Sequence, residues 1–130
     1  MIYNKFKIFT DERGGNLIPI EFKNLPFSPQ RIFSVSNVPI NNIRGNHSHF
    51  KTQQFLICVF GKILVGLDDG FTKKEIILSE GDSVLIENLV WDYQQFLTGN
   101  DYMMVLCSTE YDIKDYIFDY NEFLKIKSIN

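Results

Sequence analysis

The density of turn signals constrains this chain most. From Arg31 to Cys107 the sequence is cut at Val38-Pro39, Gly61, Asp69-Gly70, Gly81-Asp82 and Gly99-Asn100 into short apolar runs. The runs cover 31–36, a histidine-bearing stretch after Ile43, 53–60, 62–67, 73–78, 83–86, 90–96 and 102–107. Each is short for a helix and of ordinary length for a strand. Short strands at this spacing predict an all-β sandwich or barrel rather than alternating βα units. Upstream, 2–9 and 16–22 alternate with period two around Asp11-Glu12-Arg13-Gly14-Gly15, which predicts a hairpin. Downstream, Ile113, Tyr116, Ile117, Tyr120, Phe123 and Leu124 follow a helical stripe, so a short C-terminal helix should pack on the barrel.

A chain of 130 residues makes one domain, 1–130, and its twelve Phe and six Tyr supply an aromatic core. A net charge of -3 argues against nucleic acid as a general partner, because phosphate backbones need a basic surface. The longest apolar run, Phe55 to Phe60, is far below the roughly 18 residues of a membrane span, and the N-terminus lacks a signal-peptide core. No membrane association and a cytoplasmic location are expected. Cys58 and Cys107 sit in strand-like apolar runs and read as buried hydrophobes, with no disulfide, metal pair or nucleophile implied.

Both histidines of the chain lie in Arg44-Gly45-Asn46-His47-Ser48-His49. On a strand, residues i and i+2 share a face, so His47 and His49 put two imidazoles side by side while Ser48 points away. Two groups that titrate near neutrality then share one surface, the arrangement expected of proton-transfer chemistry.

His47-x-His49, four residues, Gln54, six residues and Gly61 resemble the first motif of the cupin superfamily, and a second motif laid from Gly81 puts Asp92 at its histidine position. The resemblance implies an all-β, cupin-type jelly-roll barrel with a short C-terminal helix. Metal-binding cupins use three His and a Glu; Gln54 and Asp92 at two of those places weaken the ligand set and favour a site without metal.

A narrower resemblance covers nearly everything from Arg31 onward. Arg44-Gly45-x-His47-x-His49, Gln54 to Cys58, Leu67-Asp68-Asp69-Gly70, Trp91, Met104-Val105-Leu106, Tyr111-Asp112, Asp115-Tyr116-Ile117, Tyr120 and Phe123 are similar to the sugar 3,4-ketoisomerases and WxcM-like domains. That likeness implies a metal-independent, cofactor-free isomerase that moves the keto group of a dTDP-linked keto-deoxysugar from C4 to C3. It also implies a homodimer in which residues 1–22 cross to the partner. Ser34, Gln53 and Asp92 depart from the family's usual Tyr, Glu and His.

Moving a carbonyl from C4 to C3 takes a proton from C3, passes through an enediol and returns a proton at C4. Histidine suits the task. His49 is assigned as the leading base and His47 as second proton carrier or orienting group, in an order that the spacing leaves open. Arg44 would stabilise the enediolate or grip the pyrophosphate, and Arg31 is a second phosphate candidate by resemblance. Asp92 would hydrogen-bond a histidine, while Gln54 and Trp91 complete the expected substrate-binding set, Trp91 by stacking on thymine or by packing in the core. Two alternatives stand beside this reading: a non-catalytic sugar-nucleotide-binding cupin, and a metal-dependent cupin enzyme using His47, His49 and Asp92.

Overall fold

The computed structural model describes residues 3–129; Met1, Ile2, with which the expected first strand begins, and Asn130 lie outside the described residues. Ten strands and one helix follow in order: β1 (Asn4–Lys5), β2 (Arg31–Ser36), β3 (Ile43–His49), β4 (Gln54–Phe60), β5 (Ile63–Asp68), β6 (Lys73–Leu78), β7 (Asp82–Ile86), β8 (Trp91–Phe96), β9 (Tyr102–Cys107), β10 (Tyr116–Ile117) and α1 (Tyr120–Ile129). They form two five-stranded sheets, ordered β1-β7-β4-β9-β2 and β10-β3-β8-β5-β6. Every pairing is antiparallel.

Period-two alternation decides which side chains meet. Leu56 and Cys58 of β4 point between the sheets, where they join Ile63, Val65, Val84, Phe96, Met103 and Val105. Phe55 and Ile57 of the same strand point the other way, under Phe6, Ile18, Ile20, Leu25 and Phe27 from the N-terminal segment. A strand buried on both faces reads as an unbroken apolar run, which is why 55–60 looks continuous. The second sheet is covered outside by α1, where Phe123, Tyr120 and Leu124 pack on Trp91 and Ile117. Each fully buried Phe or Leu contributes about 1.5–3 kcal/mol.

Two expectations are corrected. The upstream hairpin shrinks to a single bridge between Phe9 and Leu17, with only Asn4–Lys5 forming a strand, and that on β7. Pro19 cannot donate to a ladder, and the chain instead spends Ile18 and Ile20 on covering the first sheet. The C-terminal helix begins at Tyr120 rather than near Ile113. Asp112 accepts from Lys114 N to close a short 3-10 turn over Ile113–Asp115, and Tyr116–Ile117 then pair with His49 and Ser48. Strand pairing has taken the first part of the apolar stripe, and only the remainder is helical.

Candidate active site

A bulge in β3 creates the site. Arg44 stands opposite Gln94 and Gly45 opposite Tyr93, but His47 stands opposite Asp92, which leaves Asn46 as an extra residue. Gly45 and Asn46 have φ of 92° and 61°. A Cβ on Gly45 would lie 3.0 Å from Gln94 Oε1 and 3.1 Å from Tyr93 Cα, so only glycine fits. The extra residue reverses the alternation, and Arg44, three residues before His47, ends on the histidine face.

His47 and His49 do share that face, their rings 5.1 Å apart edge to face. Tyr116, brought beside them by β10, lies 5.3 Å from the His47 ring and 4.3 Å from the His49 ring. Phe118 stacks on Tyr116 at 5.3 Å. Arg31 lies over the rings of Phe33 and Tyr111 at 4.7 and 4.9 Å. The result is an aromatic wall beside two imidazoles, with a guanidinium at one end.

Each histidine turns its Nδ1 toward a carboxylate. His49 Nδ1 is 3.3 Å from Asp115 Oδ2. That carboxylate also accepts from Lys51 N at 2.8 Å, Thr52 N at 3.0 Å and the Thr52 hydroxyl at 2.5 Å. His47 Nδ1 is 3.8 Å from Asp92 Oδ2. Both of these atoms are sealed from solvent without a hydrogen-bond partner, as is His49 Nε2. The other Asp92 oxygen accepts from Gln94 Nε2 at 2.7 Å. An orphaned buried polar group costs about 1–3 kcal/mol, so the His47–Asp92 face is under pressure to close.

Burial governs the electrostatics. His47 is pushed down to about 4, chiefly by desolvation and then by the charge of His49. Desolvation also lowers His49, against the opposing pull of Asp115, and Arg31 adds to the lowering. Asp92 is pushed up to about 7 by burial, with the Gln94 hydrogen bond opposing. For Asp115 burial raises the pKa, but donation from Thr52 and Lys51 more than offsets it and holds the carboxyl below its ordinary value. Both imidazoles are thus neutral at pH 7, able to accept a proton at one nitrogen and donate from the other. The side chain of His47 is 18% exposed and that of His49 5%, so His47 is the more accessible of the two.

The remaining expected residues divide. Arg31 is close enough to perturb His49 and Cys107. Arg44 is exposed and, with Ser34, Val35 and Asn42, borders a hollow of about 480 Å³ between β2 and the start of β3. Gln54 is buried with its amide turned to Cys107 Sγ at 3.7 Å. Trp91 does not join the histidines: it lies on the opposite face of β8 from Asp92 and packs on Tyr120 and Phe123 at 5.2 and 5.7 Å. There it helps to seat α1. Asp115 and Thr52 were not assigned roles from sequence; nothing in the spacing of a residue 66 positions from His49 marks it as a partner.

Two of the positions that would complete a cupin-type ligand set hold Gln54 and Asp92. Asp92 spends one oxygen on Gln94, and Gln54 is turned to sulfur. Among the described residues no three His, Cys, Asp or Glu are grouped to hold an ion.

The family model described as FdtA, WxcM-like, C-terminal matches residues 2–128. The chain belongs to this family. Within it, a TDP-4-oxo-6-deoxy-alpha-D-glucose-3,4-oxoisomerase from Aneurinibacillus thermoaerophilus is 38% identical over 127 residues, covering 96% of this chain and 91% of that protein. Among solved structures, a 3,4-ketoisomerase from Helicobacter canadensis superimposes with a TM-score of 0.87 at 32% identity, covering 98% of this chain and 96% of its own. A histidine-to-asparagine variant of the 3,4-ketoisomerase QdtA from Thermoanaerobacterium thermosaccharolyticum, in complex with TDP-4-keto-6-deoxyglucose, superimposes with 0.86 at 33% identity, covering 97% and 92%. Of the positions where this member of the WxcM-like family departs from the usual pattern, Ser34 borders the hollow beside Arg44, and Asp92 is the buried carboxyl facing His47.

Proposed function

We propose that the protein is a TDP-sugar 3,4-ketoisomerase that converts TDP-4-keto-6-deoxyglucose to its 3-keto isomer by histidine acid–base chemistry without a metal. The paired neutral imidazoles on one face of β3 carry the reading, and the kinship with the 3,4-oxoisomerase supports the substrate. That a histidine-to-asparagine variant of QdtA was captured with the keto sugar fits a histidine that acts on that sugar.

The greater exposure of His47 favours it as the base, the reverse of the order first assigned from the sequence. His47 takes the C3 proton while His49 gives one to O4, so that the C4 carbonyl becomes an enol. His49, braced by Asp115, is the second proton carrier, and reprotonation at C4 with loss of the O3 proton leaves the ketone at C3. No electron leaves or enters. Arg31, the first residue of β2, and Arg44, the second of β3, supply positive charge for the pyrophosphate and the enediolate.

The test is turnover of TDP-4-keto-6-deoxyglucose by protein exhaustively treated with a chelator. Formation of the 3-keto sugar supports the proposal. Binding of TDP without turnover favours the binding-module reading, and activity restored only by a divalent ion favours the metal-dependent one. We further propose the homodimer with an exchanged N-terminal segment, in which the partner's copy would take the place that this segment holds on its own sheet; a monomer in light scattering would refute it.

A further inference from the structure

Among the described residues no lysine or arginine pairs with the buried carboxyl of Asp92. Its side chain is 1% exposed; across the ladder it faces His47 on β3 and Leu67 on β5, and along its own strand Gln94. The bulge at Asn46 is what sets it opposite His47. One of its oxygens is committed to Gln94 Nε2, and the other is unpartnered and aimed at the unpartnered Nδ1 of His47 across 3.8 Å. Two sealed polar atoms, each lacking a partner and each the other's neighbour, are satisfied together by a small rotation of the imidazole.

We propose that Asp92 is the positioning residue for His47: its free oxygen accepts the Nδ1 proton, which fixes the tautomer and leaves the Nε2 lone pair as the one offered to the sugar. The burial that raises the Asp92 pKa to about 7 fits a carboxyl that shares a proton with its neighbour. After Nε2 takes up the C3 proton, the imidazolium lies against this same carboxylate, which lowers the cost of the charge. Asp92 itself touches no substrate atom. The inference rests on the proposed ketoisomerase reading for its consequence in turnover, but the tautomer is a property of the free protein.

Asp92→Asn sharpens the test. Gln94 holds the Oδ1 position by donation, so the asparagine oxygen goes there and its NH₂ faces His47 Nδ1. An NH₂ donates, and His47 must then carry its proton on Nε2. With only two histidines in the chain, ¹⁵N spectra of histidine-labelled protein at about pH 8 resolve both rings, and His47→Asn assigns them. Wild type should show the Nδ1–H form at His47, and Asp92→Asn the Nε2–H form. The kcat of Asp92→Asn should fall by about 10²–10⁴-fold, with KM changed by less than about threefold. The double variant His47→Asn/Asp92→Asn should be no slower than His47→Asn.

A wild-type His47 protonated on Nε2 overturns the proposal without recourse to any variant. An Asp92→Asn protein with an unchanged tautomer, or losses that multiply in the double variant, also overturns it. Wild-type protein that shows the Nδ1–H tautomer but does not turn over the keto sugar overturns the ketoisomerase reading instead.

Discussion

His49 Nδ1 and Asp115 Oδ2 stand 3.3 Å apart although 66 residues separate them in the chain. The contact exists because β10 pairs with the end of β3, Tyr116 opposite His49, while the preceding 3-10 turn lifts Asp115 over the β3–β4 connection. One carboxylate thereby orients the imidazole of His49 and ties down the backbone of Lys51 and Thr52.

Asp115→Ala should therefore lose both order and activity. Several hydrogen bonds to a charged acceptor go at once, and a stability loss of about 2–4 kcal/mol is expected. Because the folded-state pKa of Asp115 is lowered, its contribution is present above the ordinary carboxylate pKa and is lost as pH falls through the lowered value. Denaturant unfolding of wild type and variant at neutral and at acid pH checks this: the gap should narrow in acid.

Gly45→Ala should be costly for a residue with no side chain. The substitution strains a backbone at φ 92° and drives a methyl to 3.0 Å from Gln94 Oε1. The expected loss is about 1–3 kcal/mol, and turnover should fall as the His47–Asp92 register loosens. Thermal unfolding paired with the isomerase assay measures both.

The strands from β2 to β9 were legible in sequence, because alternation and Gly-rich turns are local signals. So was the shared face of His47 and His49, which follows from strand periodicity. The position of Arg44 was not, since a single extra residue at Asn46 reverses the count and announces itself only through the partner strand. Asp115 was invisible as a partner for the same reason: long-range pairing, not spacing, brings it to His49. At the two ends, Pro19 in the expected hairpin and the β10 pairing within the expected helix let tertiary packing override the local pattern.

The burial of Asp92 should make the fold more stable in acid than at neutral pH. Its folded-state pKa is raised to about 7 from 3.8, so the folded protein holds the proton more tightly. This contribution is fully present below the unfolded pKa and is lost as pH rises through about 7, at up to about 1.4 kcal/mol per pH unit. Asp92→Asn removes the dependence. Its melting temperature should exceed that of wild type at about pH 8, and the difference should shrink toward about pH 4; a difference independent of pH would refute the raised pKa.

The most direct measurement follows TDP-4-keto-6-deoxyglucose by ¹H NMR in deuterated water with wild type and His47→Asn, alongside calorimetry of TDP binding. Wild type should exchange the C3 proton and accumulate the 3-keto sugar. His47→Asn should bind TDP within about tenfold of wild type, as expected for the loss of one neutral hydrogen bond, yet exchange and isomerise about 10²–10⁴-fold more slowly. Turnover by His47→Asn at the wild-type rate, or a wild-type protein that binds TDP and returns the sugar unchanged, would contradict histidine-driven ketoisomerisation at this site.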